Sequence, residues 1–325
     1  MTFTLDADVL KVIIAQQASG AVIVPAARDD WKALRAGVNA AFAAADALLP
    51  EYPEVSRTTY TAASHDGVPV ELCWYAPPGQ SPSLASPAAV YLHGGGMIAG
   101  SVKLYDRWVA AYVADSGIPM LAVDYRLAPE HPHPSPAEDS YAGLAWLAAH
   151  AAELGVDAGR IAVMGDSAGG GLAAATALLA RDRGVPVARQ ILIYPMLDDR
   201  TTTPDPALAP FAIWSYDDNY TGWHALLGEA IGTDRVPGSA APARAADLAG
   251  LPALYLEVGE LDIFRDECIN YARRAADAGV SVELHVHPGC PHGFDRIAPD
   301  AHVTRRSRTD RLRVLAARQG SGKLS

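Results

Sequence analysis

Lysine is scarce in this 325-residue chain: Lys11, Lys32, Lys103 and Lys323 are the only ones among 26 basic residues. None stands three residues after a serine, so a Ser-x-x-Lys nucleophile pair is excluded. The single Gly-Lys step, Gly322-Lys323, has Ala317 where a phosphate-binding P-loop needs its first glycine, which excludes that loop as well. Cysteine is rarer still. Cys73, Cys268 and Cys290 are too few and too scattered for a disulfide framework, and no Cys-x-x-Cys pair offers a zinc site. A thiol-tolerant interior compartment, the cytoplasm, is the expectation. Positive charge is not in excess: 26 Lys and Arg against 37 Asp and Glu give a net charge of −11, the wrong sign for binding nucleic acid or an anionic membrane. No uninterrupted apolar run reaches the ~18 residues of a membrane span. Asp6, Asp8 and Lys11 interrupt the early apolar stretch that a signal peptide would need.

Half of the chain is apolar, ample for a packed core. Residues 1–50 are alanine-rich with helical spacing at Val9, Ile13, Trp31, Leu34, Val38 and Phe42, broken at Pro25. Arg57–Ser64 and Val68–Ala76 read as two strands joined by a tight turn at Asp66-Gly67. Beyond a Pro/Ser-rich loop, short apolar runs recur at Ala88–Leu92, Pro119–Val123, Ile161–Met164, Gln190–Tyr194, Ala253–Val258 and Val282–His287. Helical patterns over Leu104–Asp115, Pro136–Leu154, Ala168–Arg181 and Phe264–Ala278 separate most of them. Continuous apolar strands alternating with helices predict an α/β protein with a mostly parallel, eight-stranded sheet covered on both faces, the hairpin forming one edge. Residues 196–245 break the alternation. They offer no strand but concentrate Phe211, Trp214, Tyr216, Tyr220 and Trp223. A long aromatic insertion of this kind predicts a lid.

Gly165-Asp166-Ser167-Ala168-Gly169-Gly170 follows a strand and opens a helix, the context that a Gly-x-Ser-x-Gly nucleophile turn requires. Glycine on either side of the serine suits a turn too sharp for side chains, and the helix N-terminus favours developing negative charge. A serine needs a base and an orienting acid, expected in the order Ser, acid, His after later strands. Asp262, in Gly259-Glu260-Leu261-Asp262, and His292, in Pro291-His292-Gly293-Phe294, follow strands on the same sheet edge. Glu257, Glu260 and Asp266 are weaker acid candidates, Glu257 because it lies within its strand. His93-Gly94-Gly95-Gly96 after Ala88–Leu92 can point backbone N–H groups at a carbonyl oxygen, joined by the N–H of Ala168. Gly94-x-Gly96-x-x-Ala99 also matches a dinucleotide fingerprint formally, but no second mononucleotide half accompanies it. His131 with His133, and His285 with His287, lack a third ligand nearby and read as structural or surface residues. Arg305, Arg306, Arg308, Arg311 and Arg313 read as the solvated face of a final helix.

Taken in order, His93–Gly96, Asp124-Tyr125-Arg126-Leu127-Ala128-Pro129-Glu130, Gly165–Gly170, Asp262 with Arg265-Asp266-Glu267, and His292-Gly293-Phe294 resemble the hormone-sensitive-lipase-like branch of the α/β-hydrolases, over roughly residues 50–300. The resemblance implies a serine carboxylesterase with Ser167 as nucleophile, Asp262 as acid and His292 as base. It implies Gly95, Gly96 and Ala168 as oxyanion donors, and no metal or organic cofactor. It further implies a cap made of residues 1–50 and the insertion 196–245 over a catalytic core of residues 51–195 and 246–325. The expected partner is a small-molecule ester, and a homodimer is common among such relatives. Relatives often carry an aromatic residue after the glycines where this chain has Met97. The substrate pocket is expected to involve Met97, Tyr194, Phe211 and Trp214, with a preference for short acyl chains. Two rivals share these residues: an amidase or N-deacetylase using the same triad, and a non-enzymatic small-molecule receptor, which would not need His292.

Overall fold

The computed structural model describes residues 3–18, 25–81 and 85–317. Strand β1 (Ser56–Ala63) and strand β2 (Pro69–Ala76) pair antiparallel from Ser56↔Ala76 to Ala63↔Pro69. Their turn is closed by Ser64, whose N–H donates to Val68 and whose carbonyl accepts from Gly67. Six further strands are β3 (Ser86–Leu92), β4 (Met120–Val123), β5 (Val156–Asp166), β6 (Arg189–Ile193), β7 (Ala253–Gly259) and β8 (Val282–His287). The sheet order is β1-β2-β4-β3-β5-β6-β7-β8, antiparallel where β2 meets β1 and β4 and parallel from β4 to β8. β3, β4 and β6 are almost continuously buried, as a parallel sheet covered on both faces requires.

The helices are α1 (Ala7–Ala18), α2 (Trp31–Ala47), α3 (Asp106–Ser116), α4 (Ser135–Ala149), α5 (Ala168–Arg183), α6 (Tyr216–Leu227), α7 (Arg265–Asp277), α8 (Phe294–Ile297) and α9 (His302–Ala316). None is long and apolar enough to cross a membrane. Central α5 is buried nearly all round because its Gly and Ala residues let it lie close to the sheet. Two boundaries differ from the sequence reading. The helix expected to reach Leu154 stops at Ala149, and β5 starts at Val156 instead of Ile161. A register shift between Ser86 and Ala88 lets Val156 pair with Ser86, extending the strand through residues whose composition is that of a loop.

Between β6 and β7 no strand occurs among the described residues. The segment holds α6, entered through a capping box in which Ser215 and Asp218 satisfy each other's backbone N–H. The N-terminal residues are tied to α6. The Arg28 guanidinium lies 3.7 Å from the centre of the Tyr220 ring, the Asp29 N–H donates to Thr221 Oγ1, and Asp29 meets His224. Helix α2 is in turn fastened to the core by Arg35, which donates to the carbonyls of Ile98 (2.5 Å) and Ala128 (2.7 Å) and grips Glu130 with two bonds. Arg126, four residues before Glu130, is bonded to fully buried Asp139 at 2.7 and 2.8 Å and to Asp66 at 2.7 Å. The turn 124–130 thus joins the hairpin, α4 and α2 to the loop that follows β3.

Two outcomes follow from these pairs. Arg126→Met strands the Asp139 carboxylate in the interior, and urea unfolding should show a loss of about 3–5 kcal/mol. The Arg35 grip holds the Glu130 carboxyl down at about 2 against an ordinary 4.5. A lowered folded value gives stability that is complete above the ordinary pKa and disappears as pH falls through the folded one. The difference in stability between wild type and Glu130→Gln should therefore persist at pH 5 and vanish on acidification towards about pH 2.

Candidate active site

The loops that follow the six parallel strands β3 to β8 open on one edge of the sheet, where open α/β sheets gather their ligands. β5 ends at Asp166 and α5 begins at Ala168. Ser167 between them has φ +54° and ψ −121°, a backbone state that a side-chain-bearing residue occupies only when its surroundings enforce it. A Cβ at Gly165 would stand 2.3 Å from the carbonyl oxygen of Gly169, and one at Gly169 would stand 2.0 Å from that of Leu92. The first contact is the collision expected across the turn; the second is with the end of β3. The Ser167 N–H donates to Ile193, and its carbonyl accepts from Gly171 and Met196, so the turn is anchored to α5 and to the end of β6.

His292 Nε2 lies 2.9 Å from Ser167 Oγ, and His292 Nδ1 lies 2.7 Å from Asp262 Oδ2. The other Asp262 oxygen accepts the Phe264 N–H at 2.9 Å, and the carboxylate is fully buried. A carboxylate on Nδ1 makes that nitrogen the donor and leaves Nε2 free to accept the serine proton. Phe264 and Tyr194 meet the imidazole in T-shaped contacts at 5.1 and 4.9 Å. The rival carboxylates are engaged elsewhere. Glu260 accepts the Gly289 N–H, Asp266 pairs with Arg265, and Glu257 bonds to Arg311, Tyr255 and Ser307.

Beside Ser167, Gly95 and Gly96 adopt φ of +122° and +61°. The N–H groups of Gly95, Gly96 and Ala168 have no acceptor among the described residues. Asp166 braces this loop against the serine turn, a role the sequence gave no reason to assign to the variable position of its motif. Its two oxygens accept from Tyr91 (2.8 Å) and Tyr105 (2.9 Å), and Tyr105 in turn accepts the Gly94 N–H at 2.9 Å. Arg296, stacked over Tyr105 and Trp108, reaches the same carboxylate. Buried Tyr125 stacks on His93, and burial keeps that histidine's pKa below its ordinary value.

Of the expected pocket residues, Met97 is buried in the loop after β3, its carbonyl accepting from Ala128. The Trp214 ring lies against Gly96, where a Cβ would come within 2.6 Å of it, and its Nε1–H donates to Asn219. Phe211 ends a short 3-10 turn and is half-buried. Tyr194 is buried against His292, with its hydroxyl directed away to Asp295. A groove of about 770 Å³ between α2 and α6, lined by Trp31, Pro129, His133, Leu226 and Val236, does not include Ser167. One expectation is corrected: Arg311 does not belong to a solvated arginine face but is 3% exposed, drawn inside by Glu257 and Asp295. Arg308 and Arg313 stay near the surface, paired with Asp115 and Glu283.

A family described as "alpha/beta hydrolase fold" matches residues 89–296. The carboxylesterase NlhH of Mycobacterium tuberculosis is 39% identical over 258 residues, 77% of this chain and 78% of the relative. An ethyl acetate hydrolase of Pseudomonas putida is 35% identical over 252 residues, 75% of this chain and 76% of the relative. Among solved structures, a bacterial heroin esterase superposes with a TM-score of 0.86 at 38% identity, over 96% of this chain and 97% of that one. With this site on this sheet, the chain is a carboxylic ester hydrolase and belongs to the hormone-sensitive-lipase-like branch of the alpha/beta hydrolase fold family.

Proposed function

We propose that the protein hydrolyses short-chain acyl esters through an acyl-enzyme on Ser167. The observation that carries this reading is the unbroken row Ser167–His292–Asp262 beside three backbone N–H groups without an acceptor among the described residues. Ser167 Oγ attacks the ester carbonyl carbon as its proton passes to His292 Nε2. The carbonyl oxygen, now negative, accepts from the N–H groups of Gly95, Gly96 and Ala168. His292 then protonates the departing alkoxide. In the second half-reaction a water gives its proton to His292 and attacks the acyl group, and the proton returns to Ser167 as the acid leaves. Asp262 holds the imidazole in the accepting tautomer and stabilises its cation.

The described residues of 1–50, with 196–245, form a cap over the core of residues 51–195 and 246–317; residues 1–2, 19–24, 82–84 and 318–325 lie outside the described residues. The bonds from Arg28 and Asp29 to α6, and Trp214 on the oxyanion loop, support this division. Under that cap Met97, Trp214 and Phe211 bound the acyl pocket, with Tyr194 at its histidine end. Trp214 above Gly96 and a serine only 8% exposed favour a shallow pocket. Similarity to an enzyme named for ethyl acetate points the same way. Each CH₂ that fits contributes up to ~0.8 kcal/mol, and each one past the end gains nothing.

On a soluble acetyl or butyryl ester, Ser167→Ala should lower kcat by roughly 10⁴-fold or more with the fold intact. Asp262→Asn should be severely impaired and Glu260→Gln much less so; the reverse order would move the acid to Glu260. Across an acyl series, kcat/KM should peak at about two to six carbons and fall steeply by about ten. A preference for long-chain triglyceride emulsions would overturn both the cap and the substrate class.

A further inference from the structure

Beneath the His292 loop lies a buried ionic cluster that the proposed reaction leaves unused. Arg311, from α9, donates through Nε at 2.8 Å and through its second terminal nitrogen to Glu257 Oε1. Its other terminal nitrogen reaches Asp295 Oδ2 at 2.6 Å and Tyr112 Oη at 2.9 Å. Glu257 also accepts from Tyr255 and Ser307. Both carboxylates and the guanidinium are buried to within a few per cent. Burial works against the ionised Glu257 and Asp295, but Arg311 outweighs it and holds both below the usual carboxylate range. A buried cluster of this kind is poor evidence for stability alone, since apolar residues of similar volume do as well. Its placement suggests another use.

Both carboxylate residues hold Tyr194. The backbone carbonyl of Glu257 accepts the Tyr194 N–H at 2.6 Å, and Asp295 Oδ1 accepts the Tyr194 hydroxyl at 2.8 Å. Between these two ties Tyr194 is kept at φ +35°, a left-handed state that a bulky residue adopts only under constraint. The ring so fixed stands 4.9 Å from the His292 ring, which Phe264 also meets at 5.1 Å. From this geometry we propose that Arg311 is a positioning residue for His292, acting through Asp295 and the Tyr194 ring. The helix that supplies it contributes nothing to the triad itself. The ring is a wall that stops the imidazole from swinging off the Ser167 line once it is protonated and its bond to the serine is lost. The inference rests on the serine-hydrolase reading above.

The decisive variant is Tyr194→Phe, which keeps the wall and cuts its tie to Asp295. Its kcat and its rate of labelling at Ser167 by a fluorophosphonate should fall by about tenfold, since misplacement by 1 Å can cost ~10²-fold. KM should stay within about twofold and thermal unfolding should stay cooperative. The far-downfield proton signal of the His292–Asp262 bond should weaken. Arg311→Lys keeps the charge but loses the planar fork, and should move the same readouts in the same direction; if it does not fold, Asp295→Asn, which weakens the link between Arg311 and Tyr194, takes its place, and wild-type labelling by whichever of the two folds would overturn the role of Arg311. Tyr194→Phe labelling at the wild-type rate, or failing to fold, would overturn the proposal. Wild type that is not labelled at Ser167 at all would instead overturn the hydrolase reading.

Discussion

The end of β3 and the start of α5 approach so closely that no side chain fits between them, and the site depends on that contact. A Cβ at Gly169 would press on the carbonyl of Leu92, and the residue after Leu92 opens the His93–Gly96 loop. The same approach therefore brings the serine turn and the His93–Gly96 loop together without any side chain intervening. Ser167 is held at positive φ by bonds to the end of β6, so three neighbouring strands define the position of one hydroxyl. Strain at Ser167 is the local cost of that definition, and the extensively buried sheet around it is what sustains it.

Charge inside this protein is concentrated where loops must not drift. Asp166 gathers two tyrosine hydroxyls and Arg296 beneath the oxyanion loop. Asp139 and Arg126 secure the turn that supports Met97 and Ala128. Glu267, whose burial drives its carboxyl well above the usual range, still accepts the N–H groups of Leu197 and Asp198 where the chain leaves the core after β6. Each group sits at a loop base, where directional bonds specify geometry that apolar packing leaves free.

Much of this was legible in the sequence. Periodicity located all eight strands, because a parallel sheet buried on both faces writes itself as apolar runs. Ser167, Asp262 and His292 could be brought to one edge because each lies within a few residues of a strand end. The boundaries of α4 and β5 were not legible, since a register shift between Ser86 and Ala88 is a property of the pair and not of either segment. Arg311 was misread for a related reason: helical spacing assigns a residue to a face, but only tertiary packing decides what covers that face. Asp166 and Tyr105 share no local signal, being brought together from 61 residues apart.

The order of the elements along the chain gives the Arg311 cluster a meaning in time. Ser167 and its glycines lie on β5 and α5, whereas Asp262 and His292 arrive after β7 and β8, and Arg311 later still on α9. Domains generally fold as units, so one sheet built from all eight strands closes only when these late elements are present. The proposed row of Ser167, Asp262 and His292 is then complete only with the elements that also close the interior. A chain that stops before the end of β8 has Ser167 but lacks His292, the proposed base.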